Sequence, residues 1–141
     1  MAAFKRDVQS VLGERALVAL EGTQTVRQAA VVLTTYEVGA APVMNGDALE
    51  GVFSERDILG KVVAQGLDPE RTRVREIMTR EPQTIEAEAP LVRAYAKMIE
   101  GRFRHLPVTG ADGRVIAMLS MRDIPPEHRI MHQQWSEWTT N

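Results

Sequence analysis

The sequence predicts an α+β fold made of two pseudo-symmetric β-α-β-β-α units sharing one core, and three observations carry that expectation. The first is a repeat: Ala41-Pro42-Val43, a turn and Gly51-Val52-Phe53-Ser54-Glu55-Arg56-Asp57-Ile58 return as Leu106-Pro107-Val108, a turn and Ala117-Met118-Leu119-Ser120-Met121-Arg122-Asp123-Ile124. The second is its register, since Thr25-Val26 and Pro90-Leu91 lie 65 positions apart, as do Pro42 and Pro107. Similarity held in register over that length marks a duplicated structural unit. The third is size: each copy is too short to bury much surface alone, so the two are expected to pack as one domain. The units span residues 8–66 and 74–124, and residues 125–141 form a tail.

Each element has a local reason. Val8 to Leu12 reads as a short leading helix or turn, followed by an extended Ala16-Leu17-Val18-Ala19-Leu20. Thr25 offers an N-cap that Gln28 completes as a capping box, and Val26, Ala29, Ala30 and Leu33 at helical spacing predict a helix to about Tyr36. Pro90 opens the counterpart, whose stripe is Leu91, Ala94, Tyr95, Met98 and Ile99. After each helix, two β-rich runs flank turn residues, Asn45-Gly46-Asp47 and Ala111-Asp112-Gly113, and read as hairpins. The second strand of each hairpin delivers the Ser-x-x-Asp. Ile58, Leu59, Val62 and Val63 predict a further helix on one face, stopped at Gly66, whereas Pro125-Pro126 cuts its counterpart short. Leu67 to Arg73, with Asp68-Pro69, is the connector.

The tail predicts an amphipathic helix over Glu127 to Trp138, with Ile130, Met131, Gln134, Trp135 and Trp138 near one face for docking on the body, a second copy or a client. His128 and His132 have the spacing of two metal ligands, but no third ligand accompanies them and no metal is expected.

Composition narrows the function. The chain is 44% hydrophobic and 26% charged, with 17 Lys and Arg against 19 Asp and Glu, as in an ordinary globular protein. A net charge of -2 gives no general attraction for nucleic acid or an anionic membrane. Arg71, Arg73, Arg75 and Arg80 interleave with Glu70, Glu76 and Glu81, the pattern of a solvated, salt-bridged face. The lack of cysteine excludes disulfides, thiolate ligands and a thiol nucleophile, and fits a reducing cytoplasm. Residues 1–7 lack the apolar stretch of a signal peptide, and no apolar run approaches the roughly 20 residues of a membrane span, so a cytoplasmic location is expected. Nucleophile-elbow, zinc-protease, phosphate-loop and dinucleotide-binding motifs are all missing, so the expectation is a binding module with no catalytic residues.

The repeated motif suits a nucleotide. A serine at a strand-to-helix junction sets its hydroxyl and nearby N–H groups where partial positive charge favours phosphate. An ionised aspartate can accept from both hydroxyls of a ribose. The competing reading is local: Ser54 to Asp57 and Ser120 to Asp123 as capping boxes whose acid returns to the cap's own N–H. Gly51 is read as allowing a ligand close to the backbone, and Ala117 replaces it in the second copy. The arginines at Arg56 and Arg122 match in position, either facing the ligand or pairing with surface carboxylates.

The ordered combination of repeat, hydrophobic-Pro-hydrophobic step, Gly-hydrophobic-x-Ser-x-x-Asp run and the phrases Arg104-His105-Leu106-Pro107-Val108 and Ile77-Met78-Thr79 closely resembles a tandem pair of cystathionine-β-synthase (CBS) domains of the stand-alone type, over roughly residues 8–124. The resemblance implies a regulatory module that binds an adenosine-containing ligand of the AMP, ADP and ATP class in a cleft between two units, requires no cofactor, and forms a homodimer of pairs acting on a protein client. By resemblance, Asp57 and Asp123 hold ribose and Ser54 and Ser120 sit near phosphate. Ala41, Pro42, Val43, Leu106, Pro107 and Val108 would wall the adenine, with Arg104 and His105 neutralising phosphate and Arg56 and Arg122 in a shared role. The alternative is a ligand-free CBS scaffold that serves as a protein-interaction module.

Overall fold

The structure is a computed structural model that describes residues 6–130 and 133. The chain divides into two units, one of Leu17–Gln83 and one of the described residues of Met1–Ala16 and Thr84–Asn141. The elements of the first unit are β1 (Leu20–Glu21), α2 (Val26–Thr35), β2 (Ala40–Asn45), β3 (Ala48–Ser54), α3 (Glu55–Asp57), a π-helical stretch (Ile58–Val63), α4 (Val74–Ile77) and β4 (Thr79–Arg80). Those of the second are α1 (Gln9–Leu12), β5 (Ile85–Glu86), α5 (Leu91–Gly101), β6 (His105–Thr109), β7 (Val115–Ser120) and a single 3₁₀ turn (Met121–Asp123).

Both units follow the expected order of strand, helix, hairpin and final helical turn. In the first, β1 pairs parallel with β2, the α2 crossover lying between them, and β2 pairs antiparallel with β3. In the second, β5, β6 and β7 repeat that pattern. Even the irregularities correspond: the ladders shift register between Val43 and Met44 and again between Val108 and Thr109.

The long helices begin and end as the sequence dictates. The Gln28 N–H donates to Thr25 Oγ1 (3.1 Å) and the Thr25 N–H to Gln28 Oε1 (2.9 Å), completing the capping box. Helix α2 closes where Glu37 takes a left-handed φ of 54°, with Val38 N–H donating to the Leu33 carbonyl (3.0 Å). Helix α5 closes the same way at Arg102 (φ 59°), with Phe103 N–H donating to the Met98 carbonyl (3.1 Å). Both are Schellman motifs that satisfy carbonyls the helix leaves free. Helix α2 buries Val26, Ala29 and Leu33, and α5 buries Leu91, Ala94 and Met98, the same three positions of the repeat.

Among the described residues, the buried apolar side chains of each unit gather in a cluster of their own. Leu20, Val26, Ala29, Leu33, Ala41, Val43, Phe53, Val62, Val74, Ile77 and Met78 form one, and the other is built on Leu91, Met98, Leu106, Val108, Leu119 and Ile124. The repeats read along the chain and the structural units are offset by one short helix. Helix α1 belongs to the second unit, where Val8 N–H donates to the Ala89 carbonyl (2.9 Å) and Gln9 N–H to that of Ala87 (2.9 Å). Helix α4 plays this part in the first, through Val74 N–H to Gln24 (2.9 Å) and Arg75 N–H to Gly22 (3.1 Å). Val8 and Leu12, like Val74 and Ile77, seal their sheets with apolar side chains.

Three local expectations change. The extended segment before the first helix narrows to Leu20–Glu21. The helix after Asp57 is wound with i→i+5 bonds, Ala64 N–H donating to the Leu59 carbonyl (3.0 Å), and its four apolar residues divide: Val62 is buried, but Leu59 and Val63 are 68% and 65% exposed. After the 3₁₀ turn, Ile124 is extended, as a residue before proline prefers, and residues 126–130 are helical. His128 is fully buried, while His132, Met131, Gln134, Trp135 and Trp138 lie outside the described residues.

Candidate functional site

Each Ser-x-x-Asp stands at the end of the central hairpin. Ser54 closes β3 opposite Ala40, and Ser120 closes β7 opposite His105. The turn out of each strand is fixed by one matching bond, Glu55 N–H to the Gly39 carbonyl (2.9 Å) and Met121 N–H to the Arg104 carbonyl (2.8 Å). The backbone therefore brings Arg104 and His105 beside Ser120 and sets Gly39 and Ala40 beside Ser54.

Both aspartates fold back on their serines. The Ser54 N–H donates to Asp57 Oδ2 (2.9 Å), its hydroxyl lies 3.2 Å from the same oxygen, and the Asp57 N–H donates to Ser54 Oγ (3.3 Å). In the second unit the Ser120 N–H donates to Asp123 Oδ2 (2.8 Å), and Ser120 Oγ accepts from the Arg122 N–H (3.3 Å). The capping geometry is thus present in both copies. It fixes each carboxylate at the sheet's end and leaves it acceptor capacity, because an ionised carboxylate offers about four lone-pair sites.

A cation that the sequence reading did not single out meets each carboxylate. Lys61 Nζ lies 2.9 Å from Asp57 Oδ1 and donates to the Ile77 carbonyl (2.9 Å). Arg15 holds Asp123 with both arms of its guanidinium, NH1 to Oδ2 at 3.0 Å and NH2 to Oδ1 at 3.1 Å. Lys61 had a local signal, its i,i+4 spacing from Asp57. Arg15 had none, being 108 residues from its partner.

The other candidate residues fall into two groups. Ala41, Val43, Leu106 and Val108 are fully buried in their units' apolar clusters. Strand alternation puts Pro42 and Pro107 on the opposite faces, but both prolines are buried as well, so these segments expose little side-chain surface to a ligand. Arg56, Arg104 and Arg122 are exposed, and His105 is half-buried.

Gly51 serves packing. A β-carbon there would lie 2.6 Å from the Thr79 carbonyl oxygen and 2.8 Å from Met78 Sδ, because β4 pairs against β3 at this point, Gly51 facing Arg80. Among the described residues the second sheet has three strands and no counterpart of β4, which is why Ala117 is admitted at the matching place. Gly51→Ala is expected to destabilise the protein by about 1–3 kcal/mol, since a backbone oxygen cannot swing away as a side chain can. Urea unfolding of this variant beside wild type checks it.

Comparison with known proteins agrees with this architecture. The CBS domain family matches twice, over residues 8–64 and 74–124. An Arabidopsis thaliana CBS domain-containing protein, CBSCBSPB2, is 37% identical over 118 residues, covering 83% of this chain and 22% of its own length. The chain spans about a fifth of the length of such plant relatives. Among solved structures, a CBS domain protein from Pyrobaculum aerophilum complexed with AMP superposes with a TM-score of 0.81 at 30% identity, over 92% of this chain and 99% of that one. A hexameric CBS-CP12 protein from bloom-forming cyanobacteria superposes with a TM-score of 0.77 at 25% identity, over 84% of this chain and 66% of its own. The fold and the two family matches make this chain a tandem pair of CBS domains. The chain belongs to the CBS domain family.

Proposed function

We propose that this CBS pair senses an adenine nucleotide, with Asp57 accepting the ribose hydroxyls and the Ser54 end of β3 lying near phosphate. The observation that carries the reading is the fixed Ser54–Asp57 carboxylate at the end of β3, in a chain that superposes nearly end to end on an AMP-complexed CBS protein. The β2 segment around Pro42, itself buried, is the candidate wall for the base, and Arg104 and His105 stand at the equivalent place beside Ser120 in the second unit. The module works without a catalytic step, in the cytoplasm, and its output passes to a protein client by conformational or oligomeric change.

Assembly is part of the proposal. Leu59 and Val63 after Asp57, Val31 on α2 and Tyr36 at its C-cap are all more than half exposed, an amount of apolar surface that a second copy would cover. Light scattering at micromolar concentration is expected to give about twice 15.7 kDa. A monomer at every concentration, with and without nucleotide, would remove the dimer.

The ligand is tested by a thermal-shift panel of adenosine, AMP, ADP and ATP run beside an assay for nucleotide breakdown. A nucleotide at 100 times its dissociation constant stabilises the folded state by about 2.7 kcal/mol, a readily measured shift. Stabilisation without breakdown is the expected result. Breakdown would indicate a hydrolase, and no shift with any of the four would favour the protein-interaction scaffold.

A further inference from the structure

The two copies make the same bridge with different residues. In each unit a cation links the Ser-x-x-Asp carboxylate to a backbone carbonyl of the short helix that seals the sheet. In the first unit Lys61 joins Asp57 to Ile77, and in the second Arg15 joins Asp123 to Val11. Val11 and Ile77 are equivalent, because α1 and α4 dock through matched bonds from Val8 and Gln9 and from Val74 and Arg75.

The bridges differ in what they leave open. Lys61 is one ammonium on a flexible stem, 43% exposed, and takes a single Asp57 oxygen. Arg15 occupies both Asp123 oxygens, and its guanidinium is itself pinned, Nε donating to the Leu12 carbonyl (2.8 Å) and NH2 to that of Val11 (3.1 Å). A paired, planar fork of this kind is among the strongest charge-assisted contacts a carboxylate makes. A ribose diol needs two acceptor positions on one carboxylate. At Asp57 it has to displace or share with one lysine contact and a rotatable serine hydroxyl, whereas at Asp123 it has to break a bidentate pair anchored at both ends.

Resting on the nucleotide reading above, we infer that Arg15 is a built-in occupant of the second site: it closes Asp123 to ribonucleotides and restricts the chain to one nucleotide, bound at Asp57. Arg15 is thereby the residue that sets stoichiometry, and removing it opens a second site.

Calorimetric titration with AMP of wild type, Arg15→Ala, Asp57→Asn and the Arg15→Ala/Asp57→Asn double variant tests this. Wild type is expected to take one AMP per chain and to lose at least tenfold in affinity with Asp57→Asn. Arg15→Ala is expected to take two, and the double variant one. Because Arg15 also braces α1, Arg15→Lys, which keeps the charge but gives up the fork, is titrated in parallel and is expected to admit a second, weaker equivalent. One AMP in both Arg15 variants with none in the double variant would overturn the inference and leave the nucleotide reading standing, as would two per chain in wild type. No binding by any of the proteins would overturn both.

Discussion

Phe53→Ala is expected to lower the stability of the protein by about 3–5 kcal/mol, the cost of emptying a fully buried aromatic site. Phe53 is 0% exposed at the centre of the first cluster, and the same strand reaches Ser54 one residue later. The cluster it belongs to draws on every layer of the unit: Val26 and Leu33 from α2, Ala41 and Val43 from β2, Val62 from the helix after Asp57, and Val74 and Ile77 from α4. A cavity here undercuts the platform on which the candidate carboxylate stands, so nucleotide binding should weaken together with stability. Chemical denaturation measures the first effect and titration the second. Arg71→Ala is the matched control, because that side chain is 88% exposed and its pairing with Asp68 spans 3.7 Å, and a change within about 0.5 kcal/mol is expected.

Asp57→Asn should cost AMP about 10- to 100-fold in affinity while leaving the fold intact. Asparagine keeps one side-chain oxygen to cap the Ser54 N–H but gives up the charge that strengthens hydrogen bonds from ribose, worth about 1.5–3 kcal/mol. The loss should be equal for adenosine and AMP, because both carry the same sugar. A loss confined to AMP would place Asp57 near phosphate, and an unchanged affinity for both would remove it from the site.

What could be read in advance was whatever the chain specifies locally. The Thr25 and Gln28 capping box, both hairpins and the duplicated Ser-x-x-Asp sit within a few residues of the groups they bond, and each is found where its spacing put it. The four residues of α4 carry no periodicity of their own, and their place is set by bonds from Val74 and Arg75 to Gln24 and Gly22, some fifty residues back. Gly51 misled for the same reason. Its lack of a β-carbon looked like room for a ligand, yet the space is filled by Met78 and Thr79, and nothing near Gly51 in the sequence says so. Arg15 is the limiting case: a long-range ion pair leaves no trace in any window of sequence, although it distinguishes the two otherwise matched carboxylates.

Titration of the purified wild-type chain with AMP by calorimetry tests the central claim most directly. Saturable binding at one AMP per chain, abolished or weakened at least tenfold by Asp57→Asn in a protein that still folds, is the predicted result. Absence of any heat of binding for AMP, ADP and ATP with the folded wild-type protein would contradict it.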